Sequence, residues 1–478
     1  MSVRLRLLVM ILAGAASACE LRPSHAAASP DLALVSCALR GVSRPAECST
    51  FDVPENRRTP GRTIALRVAV IRATTPARSV GRDAVFFFTG GPGSAATASA
   101  GLLSRELAPL SDTHDFVFVD QRGTGGSNAL PCVADGADTL TPLFDASVAE
   151  RCRAVLERSA DLGAYTTADA VDDLEAVRRA LGYQRINLHA SSYGTRVAWE
   201  YAARFPDHAR ALVLHGPAPP GLIIPLPFAQ GLETALEGVI TDCLAEPSCA
   251  ERFPRLREDV RTAFERLRVS AVPVSVDGIT AYLSQGELSE GVRYLLYSPV
   301  DARRLPLLLA QAAAGDYAPI ARALMNHRRG LARDLTMGMY LSVTCTEDIP
   351  FLTEPIIAAA SRNSRLGDYR VRQQAAACAV WPRGPAPEKR PGTALRVPAL
   401  LQIGEYDPAT PLAWGHRAAA MLPEGRLLVV PHGGHAFNGL GVDACLWGIT
   451  ASFLRDGSAA SIDSSCVAAA RRPPFLLQ

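Results

Sequence analysis

Short, uninterrupted apolar runs recur along the chain, and each ends in a turn: 84–88 (AVFFF), 115–119 (DFVFV), 185–189 (RINLH), 211–215 (ALVLH), 397–403 (VPALLQI) and 426–430 (RLLVV). Strands buried on both faces read in this way, because neither side of the sheet meets water. The stretch 62–72 (RTIALRVAVIR) instead alternates and is rich in β-branched residues, which predicts a strand with one wetter face. Between the second and third buried runs, 167–181 (TADAVDDLEAVRRAL) has helical periodicity, with Thr167 as its expected N-cap. Strand, helix, strand in this order predicts an α/β fold, a mostly parallel central sheet flanked by helices. From about 216 to 396 the chain reads as mainly helical, with Pro clusters and no convincing run of apolar strands. The expected organisation is therefore a core in two parts, 33–215 and 397–478, interrupted by a helical cap at 216–396.

The first residues change the picture of where the protein works. Arg4 and Arg6 precede an apolar run at 7–16, the n-region and h-region of a secretory signal, so 1–26 is expected to be a signal peptide. Ala16-Ser17-Ala18 before Cys19 resembles a bacterial lipoprotein box, although Ala16 stands where Leu is usual. Two outcomes stand side by side: lipidation of Cys19, or ordinary cleavage after Ala18 or near Ala26. Removing Cys19 from the 11 cysteines leaves an even number, which suits an oxidising compartment. Local spacing pairs Cys37 with Cys48, Cys132 with Cys152, Cys243 with Cys249, Cys345 with Cys378 and Cys445 with Cys466, one connectivity among many. The expected location is periplasmic, secreted or lipid-anchored, with any membrane attachment made through Cys19. Composition excludes little else: 48% hydrophobic residues across 478 positions allow a large core. With 49 Lys+Arg against 47 Asp+Glu and no long single-sign run, nucleic acid is not an expected partner.

The candidate chemistry sits at the ends of the apolar runs. The run ending at His189 feeds Ala190-Ser191-Ser192-Tyr193-Gly194 and then a helix from about Thr195, the strand-turn-helix setting of a nucleophile elbow. Small residues two before and two after Ser192 let the turn be tight enough to lift its Oγ out of the sheet; Ala190 takes the place of the usual first Gly. A serine nucleophile needs a base and an orienting acid, which in this fold follow in the order Ser, Asp, His. Asp407 lies just after the run 397–403, and His435 lies in His432-Gly433-Gly434-His435 after 426–430. Glu405 and His432 are local competitors. Gly433 and Gly434 favour His435 by giving its loop room to reach back. Two backbone amides are needed for the oxyanion, and Tyr193 and Gly91 are the candidates, Pro92 having no N–H to give. No cofactor or metal is called for.

Taken together, Gly90-Gly91-Pro92-Gly93, Asp120-Gln121-Arg122-Gly123-Thr124-Gly125, Ser191-Ser192-Tyr193-Gly194-Thr195 and Asp407-Pro408-x-Thr410-Pro411 resemble the prolyl aminopeptidase and tripeptidyl aminopeptidase family of α/β-hydrolase serine peptidases. The resemblance implies hydrolysis of peptides from their free N-terminus, with cap carboxylates receiving the substrate amine. Thr89 stands where the prolyl type carries His, which favours the secreted tripeptidyl type. Cys345-Thr346-Glu347-Asp348 looks like that type's acidic motif, so the resemblance marks Glu347 and Asp348 as the amine-binding acids. The same machinery would serve a carboxylic ester hydrolase or small-molecule amidase, and a binding protein on an inactive hydrolase scaffold is the expectation from another class.

Overall fold

The computed structural model describes residues 32–59, 61–75, 83–132, 140, 142–387 and 394–478. The expected signal peptide and Cys19 lie outside them. The described residues form eleven strands: β1 (Val35–Cys37), β2 (Ala46–Pro54), β3 (Thr63–Ile71), β4 (Asp83–Phe88), β5 (His114–Val119), β6 (Ile186–Ser191), β7 (Ala209–His215), β8 (Val272–Val276), β9 (Ile279–Leu283), β10 (Ala399–Gly404) and β11 (Gly425–Val430). Nine of them build one sheet in the order β1-β2-β3-β5-β4-β6-β7-β10-β11. The pairs from β5 through β11 are parallel, while β1, β2 and β3 join antiparallel at one edge. β4 to β7 and β10 are the apolar runs of the sequence, and the sheet's interior explains their composition: every residue of β5 and β10 is buried.

Alternation along the strands splits the core into two layers. Phe86, Leu188, Ala190, Leu212 and Leu401 face one layer with the helices Thr167–Ala180 and Tyr193–Arg204. Val85, Phe87, Val213 and Leu400 face the other, under the helices Ala100–Glu106 and Asp443–Asp456. The helix at 167 is capped one residue earlier than expected: Thr166 is extended and its side chain accepts from the Asp169 amide. Thr167 is thereby free to serve elsewhere. Arg122 of the Asp-Gln-Arg-Gly motif is fully buried, forks onto Asp173 (2.7 Å on both arms) and donates to the carbonyls of Glu55 and Ala164. That motif ties the antiparallel edge to the first helical layer.

Between β7 and β10 the chain is mainly helical, including Phe228–Ala245, Leu256–Val269, Gln285–Leu295, Ala318–Asp334, Met337–Glu347 and Tyr369–Val380. One element there departs from the expectation: β8 and β9 form an antiparallel hairpin turned by Asp277-Gly278, both at positive φ. Disulfides join Cys37 to Cys48, Cys132 to Cys152, Cys243 to Cys249, Cys345 to Cys378 and Cys445 to Cys466. No helix among the described residues is long and apolar enough to cross a membrane.

Candidate active site

β6 delivers Ser192 on a backbone of φ 54° and ψ −128°, a conformation that L-residues adopt at a cost of about 1–3 kcal/mol and that persists only where surroundings enforce it. Three contacts enforce it here. The Ser192 amide donates to the carbonyl of His215 on neighbouring β7 (2.8 Å), and the Thr195 hydroxyl caps the Ser192 carbonyl (2.5 Å). Gly194 presses on the end of β4 so closely that a Cβ would stand 2.6 Å from the Phe88 carbonyl oxygen. Ala190 fits at the first small position, fully buried in the strand. The helix then begins at Tyr193 rather than Thr195.

The loop after β4 crosses in front of this serine. A Cβ on Gly90 would lie 2.7 Å from Ser192 Cβ and 3.2 Å from its Oγ, so glycine is required for the approach. Thr89 latches the loop by donating to the Ser94 carbonyl (2.7 Å). The cap holds its far side, where the Thr336 amide donates to the Gly93 carbonyl (2.9 Å). Gly91 and Tyr193 flank the serine on these two segments.

The loops after β10 and β11 bring Asp407 and His435 together. Asp407, 3% exposed, accepts from the amides of Ala409 (2.8 Å) and Thr410 (2.9 Å) through one oxygen. Its other oxygen accepts from the Thr410 hydroxyl (2.9 Å) and pairs with His435 Nδ1 at 2.7 Å. Burial would raise this carboxyl, but the charge and hydrogen bond of His435 and the two amides overrule it and hold it below the usual carboxylate range. With Nδ1 committed to Asp407, Nε2 is the nitrogen left to face a nucleophile. Ser192 Oγ makes no hydrogen bond to His435 in this arrangement; such links often close only around substrate. The two competitors are engaged elsewhere: His432 Nδ1 pairs with Asp242 (2.9 Å), and Glu405 accepts from the His432 amide (3.0 Å).

Several residues that sequence reasoning passed over hold this arrangement. A Cβ on Gly216 would lie 2.8 Å from His435 Cε1. The Tyr297 ring of the cap packs on the His435 ring at 5.0 Å, and the Tyr297 carbonyl accepts from the Ala436 amide (2.8 Å). His215 Nε2 bonds the His435 carbonyl (2.9 Å). Glycines after β11 were a usable signal for the loop; the cap's contribution carries no motif.

The acidic pair closes the other side of Tyr193. Glu347 accepts from the Thr167 amide (2.6 Å) and hydroxyl (2.7 Å), and that hydroxyl also meets Tyr193 Oη (2.8 Å). Asp348 is held on both oxygens by Arg196 (3.0 and 3.1 Å) and by the Ile224 amide (2.9 Å). Arg196 also reaches Glu347 at 3.5 Å. Two carboxylates thus share one guanidinium, and burial pushes both carboxyls above the usual range against Arg196's pull. No group of three or more His, Cys, Asp and Glu among the described residues is arranged to hold a metal ion.

Comparison with known proteins agrees with this architecture. The family description "alpha/beta hydrolase fold" matches residues 83–250, and "TAP-like protein" matches 363–466. Tripeptidyl aminopeptidase of Streptomyces lividans is 30% identical over 194 residues, 36% of this chain and 35% of that protein, so the match spans about a third of its length. Serine protease Hip1 of Mycobacterium tuberculosis is 24% identical over 88% of this chain and 87% of its own. Carboxylesterase B of the same organism is 27% identical over 79% and 78%. The chain has the α/β-hydrolase fold, and its sequence is similar to those of a tripeptidyl aminopeptidase and of serine protease and esterase relatives.

Proposed function

We propose that this protein is an exported serine peptidase that cleaves peptides from their free N-terminus. Ser192 Oγ attacks the scissile carbonyl while His435 Nε2 takes its proton, and Asp407 fixes the imidazole tautomer and stabilises its charged form. The amides of Gly91 and Tyr193 receive the developing oxyanion. His435 returns the proton to the leaving amine, and water, activated by the same nitrogen, hydrolyses the acyl-enzyme.

The observation that carries the peptidase reading is the charge balance beside Tyr193. Glu347 and Asp348 together exceed Arg196 by one negative charge, in a buried setting where an unpaired charge is costly. A substrate ammonium would neutralise it, and Glu347, bound to Arg196 less closely than Asp348 is, offers the contact. Asp348 acts by holding Arg196. Support for export comes from the expected signal peptide and the five disulfides, which suit an oxidising compartment.

The likeness to a protein named Carboxylesterase B favours one second reading, an ester hydrolase on the same scaffold. A panel of free and N-acetylated mono-, di- and tripeptide anilides with a butyrate ester, run on wild type and Ser192→Ala, separates the two. Cleavage confined to free-amine peptides and lost in the variant supports the peptidase and gives its register; strong ester turnover indifferent to acetylation overturns it.

A further inference from the structure

A cavity lies on the opposite layer of the sheet from the inserted helical segment, behind Ser192. Alternation along β6 points Leu188 and Ala190 into the first core layer, and sends His189 and Ser191 into the second. There a cavity of about 380 Å³ opens beneath the helices Ala100–Glu106 and Asp443–Asp456. Phe87, Phe437 and Trp447 stand around His189 in its wall, and neither the Ser192 nor the His435 side chain lines it.

His189 is the telling residue. It sits in the middle of the sheet at 7% exposure, its ring near-parallel to Trp447 (5.9 Å) and 5.4 Å from Phe87. Among the described residues its ring bonds its own backbone and no other group, and it lines the cavity. Burial, helped by His215, lowers it to about 3, and the imidazole is neutral across the physiological range. A buried ring nitrogen left without a partner costs about 1–3 kcal/mol, and an imidazole has two, so the position favours an occupant that completes the second hydrogen bond. Of the wall's other polar groups, Thr89 bonds the Ser94 carbonyl (2.7 Å), His215 the His435 carbonyl (2.9 Å) and Gln402 the Thr450 hydroxyl (3.0 Å), while Ser99, Ser191 and Asn438 also line the cavity. Among the described residues Glu106 and Asp443 line it and no Lys or Arg does, which disfavours anions.

We propose that this cavity is a binding site, separate from the catalytic centre, for an uncharged, flat aromatic molecule carrying one hydroxyl or N–H that bonds His189. The volume falls within the range of small-molecule sites, about 300–1,000 Å³. The proposal does not depend on whether the catalytic centre cleaves peptides or esters.

Binding of 2-naphthol, 2-methylnaphthalene and 2-naphthoate to the whole protein, measured by calorimetry before and after covalent sulfonylation of Ser192, tests it. Expected are 2-naphthol binding about fivefold tighter than the methyl analogue, as one net hydrogen bond allows, rejection of naphthoate, and no change on sulfonylation. His189→Phe keeps the ring and should erase the hydroxyl preference. Leu102→Trp, at an exposed position lining the cavity, should weaken both neutral ligands without touching the core. Loss of binding on sulfonylation, an undiminished preference in His189→Phe, or no binding of either neutral ligand would overturn the proposal.

Discussion

Replacing Gly216 by Ala tests whether His435 is aimed by close packing rather than by its bond to Asp407 alone. The added Cβ would stand 2.8 Å from His435 Cε1 and 3.1 Å from Nδ1, where ordinary contact begins at 3.4 Å. The imidazole must therefore retreat by about 0.6 Å, while Tyr297 packs on it and Asp407 holds Nδ1 at 2.7 Å. Displacements of about 1 Å from a productive geometry cost roughly 100-fold in rate. The expected loss in kcat/KM is then about 10- to 100-fold, or about 1.4–2.7 kcal/mol of transition-state stabilisation. Gly216 also sits at φ +59°, so the substitution carries backbone strain of about 1–2 kcal/mol in any case. Gly221→Ala is the control, because Gly221 has φ +90° and nothing within 4 Å of its would-be Cβ. Both variants should melt a few degrees below wild type, but only Gly216→Ala should turn over a butyrate ester slowly and label sluggishly with a fluorophosphonate. Equal activity in the two variants would refute the reasoning.

Asp407→Asn should reduce kcat by about 10⁴-fold with binding little changed, since the amide no longer selects the tautomer that leaves Nε2 free. Its native carboxyl is held low, so it stabilises the fold above the ordinary carboxylate range and loses that contribution as pH falls through the depressed native value; acid titration of the variant's stability should lack this component. Glu347→Gln should raise KM for free-amine peptides and leave ester turnover unchanged. Because burial raises the Glu347 carboxyl, wild-type affinity for such peptides should fall on acidification at a pH above the usual glutamate range, a dependence absent from the variant. Removing the Cys345–Cys378 bridge by paired Ala substitutions should cost about 3–4 kcal/mol for a loop of 33 residues and raise KM for the same peptides, as melting and steady-state kinetics would record.

The parallel strands were legible because central strands have no wet face, and their apolar runs leave no alternative period. The expected positions of Ser192, Asp407 and His435 were legible for the same reason: each follows such a run. β1 and β2 were not, since the antiparallel edge mixes exposed and buried positions, as in AECSTFDVP. The β8–β9 hairpin carried a usable signal that the helical surroundings obscured, an Asp-Gly pair between two alternating segments. Thr166 and Thr167 could not be distinguished as caps from spacing alone; a contact 180 residues away, to Glu347, marks out Thr167. Arg196 likewise has no local signature. Its role is set by two acids that only the folded chain brings near.

The cap's grip on both active-site loops has a consequence for when the enzyme can work. Ribosomal synthesis presents the N-terminus first, so Ser192 emerges long before Asp407 and His435. The loop that carries His435 rests on Tyr297, and the loop in front of Ser192 rests on Thr336, both in the intervening segment. A nascent chain therefore carries Ser192 before it carries the base and acid proposed to serve it. On the proposed mechanism the base arrives last, so attack by Ser192 waits until β10 and β11 have joined the sheet.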